Sequence, residues 1–185
     1  MHAGCLIRPL GRPGDLGWVV MAHGELYRDE FGWDASFERL VARIVADYAD
    51  RQRDDRDDRD AAWIAELDGA RVGCVFCVAA DEPRAAQLRI LLVHPDARGR
   101  GLGGALVDRA VEFARGAGYE RVRLWTNHPL AAARHVYLSR GFELVAEQRH
   151  HSFGAELVGQ TYALELVPRK PTSADRLRAG HDSLG

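Results

Sequence analysis

The spacing of hydrophobic and polar residues predicts one strand and two helices at the start of the chain. A short apolar run over residues 5–10 has the composition of an edge strand and ends in a turn rich in glycine and proline. Over residues 16–48 the apolar positions recur at helical spacing, and Gly24 and Gly32 predict a bend between two helices. Asp15 stands where the side chain of a helix N-cap is expected.

Three β-rich runs follow over residues 61–67, 71–79 and 87–93. Asp68 and Gly69 join the first two, and the glycine tolerates the positive φ of a hairpin turn. Beyond them the pattern predicts helices over residues 101–116 and 130–140, strands over residues 121–126, 142–148 and 160–167, and a polar loop over residues 150–159. This order predicts an α/β (α+β) fold with a mixed sheet of about six to seven strands and about four helices.

Length and composition are those of one globular domain. The chain has 185 residues, of which 46% are hydrophobic, enough to form a core. We expect the domain to occupy residues 1–167 and the polar, aperiodic residues 168–185 to form a disordered tail. Residues 50–60 are almost wholly Asp and Arg and predict a solvated loop or a frayed helix end.

Charge, cysteines and hydropathy exclude several classes of partner. A net charge of −2 gives no bulk positive field for nucleic acid. Cys74 and Cys77 form a CxxC inside an apolar run without a second ligand pair, which favours buried thiols over a metal site. No apolar stretch approaches the roughly 20 residues that span a bilayer, and the N-terminus lacks the pattern of a signal peptide. We therefore expect a cytoplasmic protein that uses no metal, nucleic acid or membrane.

The strongest chemical signal is the glycine-rich segment between the third β-rich run and the next helix. It reads RGRGLGG over residues 98–104. Free N–H groups at such a helix start attract an anion such as a pyrophosphate, and Arg98 and Arg100 add positive charge.

Other interpretations of this segment fit less well. A P-loop needs Lys-Ser or Lys-Thr after the glycines, and neither is present. The segment formally matches the GxGxxG of dinucleotide-binding folds, but residues 94–98 intervene after the strand, and the next strand ends in Thr126 and Asn127 without an acidic residue for a ribose. A plain turn needs one or two glycines, and the four present favour a ligand.

Two motifs resemble one family. Arg98-x-x-Gly101-x-Gly103 resembles the (Gln/Arg)-x-x-Gly-x-(Gly/Ala) signature by which GNAT acetyltransferases hold the pyrophosphate of coenzyme A. Residues 133–142 are similar to the GNAT pattern A-x-x-(hydrophobic)-Y-x-x-x-G-F, with Tyr137 as its tyrosine. The resemblance implies a GNAT fold whose sheet splays between the fourth and fifth strands. It also implies an N-acetyltransferase that uses acetyl-CoA as cosubstrate and passes the acetyl group directly to an amine.

The resemblance also implies roles for particular residues. The role implied for Tyr137 is that of the general acid that protonates the departing thiolate. Many GNAT proteins carry an asparagine seven residues before this tyrosine, where this chain has Leu130, and the nearest asparagine is Asn127. The implied coenzyme A ligands are Leu91, Leu92, Val93, Arg98, Gly99, Arg100, Gly101, Leu102, Gly103, Gly104, Asn127 and Tyr137.

A narrower resemblance concerns residues 88–93, 124–127, 150–154 and 157–166. These are similar to the acetyltransferase half of bacterial proteins that fuse a MarR-type regulator to a GNAT domain. The chain has too few residues before its first strand for a winged helix, so we expect no DNA binding.

The acceptor and the base stay open at this stage. As the acceptor, a small primary amine is favoured over a protein lysine or N-terminus. A noncatalytic acyl-CoA-binding module is the alternative function, and the oligomeric state, a monomer or a homodimer, also stays open. The base is a carboxylate, a histidine or a chain of water molecules, with Glu25, Glu30, Glu66, His150 and His151 as the side-chain candidates. In segments that flank the acceptor groove of GNAT folds, the candidate substrate residues are Glu25, Tyr27, Trp33, His151 and Tyr162, accompanied by His23 and Phe153.

Overall fold

A computed structural model describes residues 4–52 and 59–166. Most of the charged run 50–60 and the predicted tail 168–185 lie outside the described residues. The described helices are α1 (Asp15–Phe31), α2 (Ala35–Arg51), α3 (Leu102–Gly116) and α4 (Ala131–Leu138). The described strands are β1 (Cys5–Pro9), β2 (Ala61–Leu67), β3 (Ala70–Ala79), β4 (Ala85–Val93), β5 (Arg121–Asn127), β6 (Glu143–Ser152) and β7 (Ala155–Glu165).

The strands form one mixed sheet in the order β1-β2-β3-β4-β5-β7-β6. Neighbours are antiparallel except β4 and β5, which are parallel because α3 connects them. The mixed α/β fold predicted from the hydrophobic pattern is confirmed. None of the described helices has the combination of length and apolar character needed to cross a membrane.

Helices cover both faces of the sheet, and β3 shows the division. Cys74 and Phe76 belong to the core formed with α1 and α2, whereas Val75 and Cys77 belong to the core formed with α3. The two thiols of the CxxC therefore point to opposite faces. Burial raises the pKa of both thiols, that of Cys77 to about 12. The prediction of buried core thiols is confirmed.

The start of α1 differs from the prediction. Gly14, in the left-handed region, is the N-cap, and Asp15 is the first helical residue and does not cap the helix with its side chain. The Asp15 carboxylate instead accepts hydrogen bonds from the N–H groups of Gly11 and Arg12 and from the guanidinium of Arg8. A buried arginine nearby competes for the carboxylate, a tertiary contact that local sequence does not reveal.

The predicted bend between two helices occurs at Gly32. Gly32 ends α1 with a φ of 70° and lets the chain turn into α2. Gly24, the other glycine on which that prediction was based, lies inside α1 and does not form the bend. A Cβ at Gly24 would approach the Glu38 carboxylate of α2 to 2.8 Å, and the glycine therefore allows the two helices to lie close together.

Residues 150–159 form a hairpin, which corrects the prediction of a polar loop. β6 and β7 continue through this segment and are joined by Phe153 and Gly154, which have φ of 58° and 76°. Two residues with positive φ are typical of the tight turns that join twisted antiparallel strands. The pattern was misleading because β6 is an edge strand with no buried residue, so polar side chains occupy both of its faces.

The sheet opens between β4 and β5, as predicted. The two strands pair only from Ala85↔Arg121 to Leu88↔Leu124, although β4 continues to Val93 and β5 to Asn127. The pairing of β4 with β3 also shifts register at this level, where Ile90 has a φ of 44°. An extra residue in one strand bends it away from its neighbour, and the bulge at Ile90 coincides with the start of the opening.

Candidate functional site

The glycine-rich segment connects the end of β4 to the start of α3 through a short 3-10 turn at Pro95–Ala97. Gly99 and Gly101 have φ of 74° and 75°, a region that side-chain-bearing residues avoid. A Cβ on either glycine would meet no atom within 4 Å, so both face open space. The glycines are required here by backbone conformation and not by crowding.

Residues 99–104 present a row of unpaired backbone donors. Among the described residues, none of their N–H groups has a backbone or side-chain acceptor, and Gly101 caps α3 without a side-chain hydrogen bond. Unpaired N–H groups at a helix N-terminus attract negative charge. This arrangement fits a pyrophosphate, so the residues present are compatible with a coenzyme A site.

A cavity of about 520 Å³, which we name the glycine-loop cavity, lies against these donors. Apart from Arg100, Asn127 and Tyr137, all the coenzyme A ligands implied by the sequence line it. Its other walls come mainly from α1 and from α4 with the loop before it, which the sequence did not assign to the ligand. They consist of Leu26, Tyr27, Glu30, Phe31, Ala97, Pro129, Leu130, Ala131, Ala132, Ala133, His135 and Val136.

Arg98 holds the glycine loop against α1. Its guanidinium donates to the Val93 carbonyl at 3.2 Å and pairs with the Glu30 carboxylate at 2.6 Å. The sequence suggested only a phosphate ligand at this position. The structure adds that Arg98 is already engaged within the protein, whereas the N–H groups at the positive end of α3 have no partner among the described residues.

Gly104 is explained by a different contact. The Arg140 guanidinium lies where a Cβ of Gly104 would stand, and its Nε donates to the Gly104 carbonyl at 3.2 Å and to Asp108 at 2.8 Å. Arg140 thereby fixes the C-terminal end of α4 to the first turns of α3. The fourth glycine of the segment consequently allows the two helices to meet.

A second, smaller cavity of about 110 Å³ lies where β4 and β5 diverge, and we name it the splay cavity. Its walls include Tyr137 and Asn127. Four residues line both cavities and mark their junction, namely Tyr27, Leu91, Leu130 and Ala133. The other residues of its wall are His23, Trp33, Phe37, Leu40, Val41, Ile44, Gln87, Leu88, Arg89, Ile90, Trp125 and Thr126.

Tyr137 is held in the wall of the splay cavity by other aromatic rings. Its ring centroid is 5.9 Å from that of Phe142 and 6.3 Å from that of Tyr162, and only 5% of the residue is exposed. Burial raises the pKa of the Tyr137 hydroxyl, and the neighbouring Tyr27 adds to this effect. The hydroxyl therefore carries its proton at neutral pH, as a proton donor must.

Asn127 lies in the splay cavity and not beside the glycine loop. Its Oδ1 accepts a hydrogen bond from Nε2 of His150 at 2.9 Å, which ties the end of β5 to β6. Leu130 stands at the junction of the two cavities, where many GNAT proteins have the asparagine. An apolar side chain thus replaces a polar one at that point of the wall.

The structure brings together only part of the predicted acceptor set. Tyr27 and Trp33 line the splay cavity, together with His23. Tyr162 is 2% exposed, belongs to the core and lines neither cavity. Glu25 is exposed on α1 outside both cavities, and His151 is exposed and pairs with Glu156 at 2.8 Å.

The candidate bases are also dispersed. Glu30 lines the glycine-loop cavity but is paired with Arg98, and Glu66 is buried in a pair with Arg8 at 2.7 Å. His150 is bonded to Asn127 and, through Nδ1, to Ser152. Within residues 4–52 and 59–166, no group of three or more His, Cys, Asp or Glu side chains could hold a metal ion.

Fold and site together define an α/β protein with a row of unpaired backbone donors beside two adjoining cavities. The profile of the acetyltransferase (GNAT) family matches residues 22–142. The chain therefore belongs to the GNAT acetyltransferase family.

Two relatives and one solved structure illustrate the likeness. The chain is 33% identical over 164 residues to a mycothiol acetyltransferase from Beutenbergia cavernae. This match covers 78% of this chain and 55% of the relative. The chain is 36% identical over 91 residues to an uncharacterized N-acetyltransferase from Methanocaldococcus jannaschii, covering 46% of this chain and 40% of the relative. The Salmonella typhimurium protein yncA, solved with its cofactor acetyl-CoA, has 22% identity and a TM-score of 0.67, covering 92% of this chain and 99% of that one.

Proposed function

We propose that this protein is an N-acetyltransferase that takes its acetyl group from acetyl-CoA and passes it to a primary amine. The observation that carries the proposal is the row of unpaired N–H groups at residues 99–104, beside a cavity that meets a second one containing a protonated tyrosine. The yncA structure, which holds acetyl-CoA, shares this fold and supports the choice of ligand. When bound, acetyl-CoA supplies a thioester whose C–S bond breaks as the C–N bond to the amine forms.

The side chains and backbone have separate tasks in this proposal. The N–H groups of the glycine loop bind the pyrophosphate, because they combine free donors with the positive end of α3. Leu91 lies at the junction of the cavities, where β4 has lost its partner β5, and its backbone is available to the ligand. Tyr137 donates its proton to the departing sulfur from the wall of the splay cavity.

The acceptor amine must lose a proton before it attacks. An alkylammonium has a pKa near 10.4, so the neutral form is scarce at pH 7. The carboxylates predicted as bases are either paired, as are Glu30 and Glu66, or outside the cavities, as is Glu25. We therefore propose that water in the cavity receives the proton.

The size of the splay cavity favours a small acceptor over a peptide. A volume of about 110 Å³ holds a small organic group, whereas a peptide requires a continuous cleft.

The likeness to the acetyltransferase half of MarR fusion proteins remains a prediction from the sequence, and no DNA-binding role is proposed.

The test of this function is Tyr137→Phe, measured by thiol release from acetyl-CoA with a panel of amines. Loss of a general acid typically lowers kcat by about 10²–10⁴-fold, and the dissociation constant for acetyl-CoA should stay within about threefold of the parent value. Tyr119→Phe is the matched control, since Tyr119 is equally buried but lines neither cavity. Equal losses of turnover and acetyl-CoA affinity would count against the proton-donor role.

The same assay separates catalysis from simple binding. A noncatalytic acyl-CoA-binding module would bind acetyl-CoA yet release no thiol with any amine. The proposed transferase releases thiol and forms one acetylated amine for each thiol released.

A further inference from the structure

The splay cavity contains one cationic side chain that the proposed reaction leaves without a role. Arg89 lies on β4 near the point where β4 and β5 separate, and it lines the cavity. Within residues 4–52 and 59–166, its guanidinium makes no hydrogen bond and no ion pair within 4 Å. Arginines in such positions normally have a direct partner, because removing a charge from water is costly.

Charges near Arg89 do not replace a direct partner. Asp47 and Asp81 attract its guanidinium through space and Arg51 repels it, but burial is the dominant influence and lowers the Arg89 pKa below its ordinary value. Arginine nevertheless stays charged at all physiological pH values. The half-buried Arg89 guanidinium therefore lines the cavity with hydrogen-bond donors that have no acceptor among the described residues.

The rest of the cavity wall restricts the choice of anion. Most of the cavity wall is formed by aliphatic and aromatic side chains, among them Phe37, Val41 and Ile44 of α2. Two residues along β4 is Leu91, which marks the junction with the glycine-loop cavity. Because Arg89 and Leu91 line the same cavity of about 110 Å³, a short molecule can contact Arg89 at one end and reach the junction at the other.

We propose that the acceptor amine carries a carboxylate close to its amino group, as a small aliphatic amino acid does, and that Arg89 binds this carboxylate. The inference rests on the proposed acetyl transfer and names its class of substrate. The guanidinium can donate two parallel hydrogen bonds to a carboxylate, which orients the molecule as well as holding it. The amino group then faces the junction, where Tyr27 and Leu91 stand.

The experiment compares L-leucine with L-leucinamide, which has the same shape but no negative charge. Preference is measured as the ratio of kcat/KM for L-leucine to that for L-leucinamide, and we expect Arg89→Gln to reduce this ratio by about 10- to 100-fold, the usual strength of a hydrogen bond to a charged group. Activity on L-leucinamide should change less than about threefold. Any difference in basicity between the two amines cancels in the ratio of the two proteins' preferences.

Two variants serve as references. Arg89→Lys keeps the charge but loses the bidentate geometry, so it should recover part of the preference. Arg43→Gln removes an exposed arginine of α2 that does not line the cavity, and it should behave as the parent does. Calorimetric titration of L-leucine into the coenzyme A complex adds a readout without turnover, in which Arg89→Gln should weaken binding by the same factor.

Each outcome decides the proposal. Equal losses for both acceptors in Arg89→Gln, or unchanged activity on both, would overturn it while leaving acetyl transfer intact. Acetyl-CoA binding without thiol release on either acceptor or on the wider amine panel would overturn the proposed function as well.

Discussion

His23 is the residue whose environment departs furthest from what its position on a surface helix suggests. It is 1% exposed, its Nδ1 donates to the Val19 carbonyl at 2.8 Å, and its Nε2 has no partner among the described residues. The imidazole stacks on Tyr27 with ring centroids 5.6 Å apart. Burial lowers the pKa of His23 from 6.5 to about 4, so the ring is neutral at pH 7.

This lowered pKa predicts a loss of stability in mild acid. Unfolded chains protonate His23 near pH 6.5, whereas the folded protein resists protonation down to about pH 4. The neutral ring's contribution to the free energy of unfolding is complete above pH 6.5 and declines as the pH falls. Between pH 6.5 and 4 the loss amounts to about 3 kcal/mol. In urea unfolding between pH 7 and 4.5, His23→Phe should show a flatter dependence on pH than the parent.

His128→Gln, at an exposed position, is the control for this series and should keep the parent's slope. A His23→Phe variant whose stability falls with pH as steeply as the parent's would show that His23 does not govern the acid sensitivity.

At the scale of secondary-structure elements, one ionic cluster connects β1, α1 and the β2–β3 hairpin. Asp15, at the start of α1, is fully buried and pairs with Arg8 of β1 at 2.7 Å and with Arg71 of β3 at 2.8 Å. Arg8 in turn pairs with Glu66 of β2 at 2.7 Å. The hydrogen bond from Arg8 holds the pKa of Asp15 well below its ordinary value, so the carboxylate stays charged.

Asp15→Asn should be severely destabilising. The change removes the acidic partner of Arg71 and leaves Arg8 with Glu66 alone, and breaking such a buried pair typically costs about 3–5 kcal/mol. The comparison is Asp108→Asn, which breaks an exposed pair with Arg140 and should cost less than about 1 kcal/mol. If urea unfolding gave similar losses for the two variants, the cluster would not have the stabilising role assigned to it.

Local patterns predicted most elements because their signals are short-range. The apolar stripe of α2, the Asp68–Gly69 turn and the glycine loop before α3 depend on neighbours along the chain. The hairpin of β6 and β7 was missed because an edge strand exposed on both faces has no alternating pattern. The bend predicted from Gly24 and Gly32 lies at Gly32 alone, and the reason for Gly24 is the approach of Glu38 from another helix, which local sequence does not reveal.

The site shows the same division. The motif predicted the loop side of the glycine-loop cavity, whereas the walls from α1 and α4 became visible only in three dimensions. Arg89 has no sequence signal, because what singles it out is its place on a cavity wall and the lack of a partner within residues 4–52 and 59–166. Tyr162 was placed in the acceptor set by its segment, but its side chain points to the core.

At the scale of the whole molecule, the opening between β4 and β5 organises the proposed function. One side of the opening meets the glycine-loop cavity, and the strands' divergence creates the splay cavity. Leu91 contributes to both because it lies just past the last β4–β5 pair. A homodimer, which the family resemblance left open, stays a prediction.

The central claim is that the N–H groups of residues 99–104 hold the pyrophosphate of acetyl-CoA, and calorimetric titration with acetyl-CoA tests it most directly. Gly101→Val forces a branched residue into the left-handed region and should raise the dissociation constant at least about tenfold. Gly116→Ala, at the far end of α3, should leave it unchanged. No heat of binding in the parent, or equal affinities of Gly101→Val and the parent, would contradict the account.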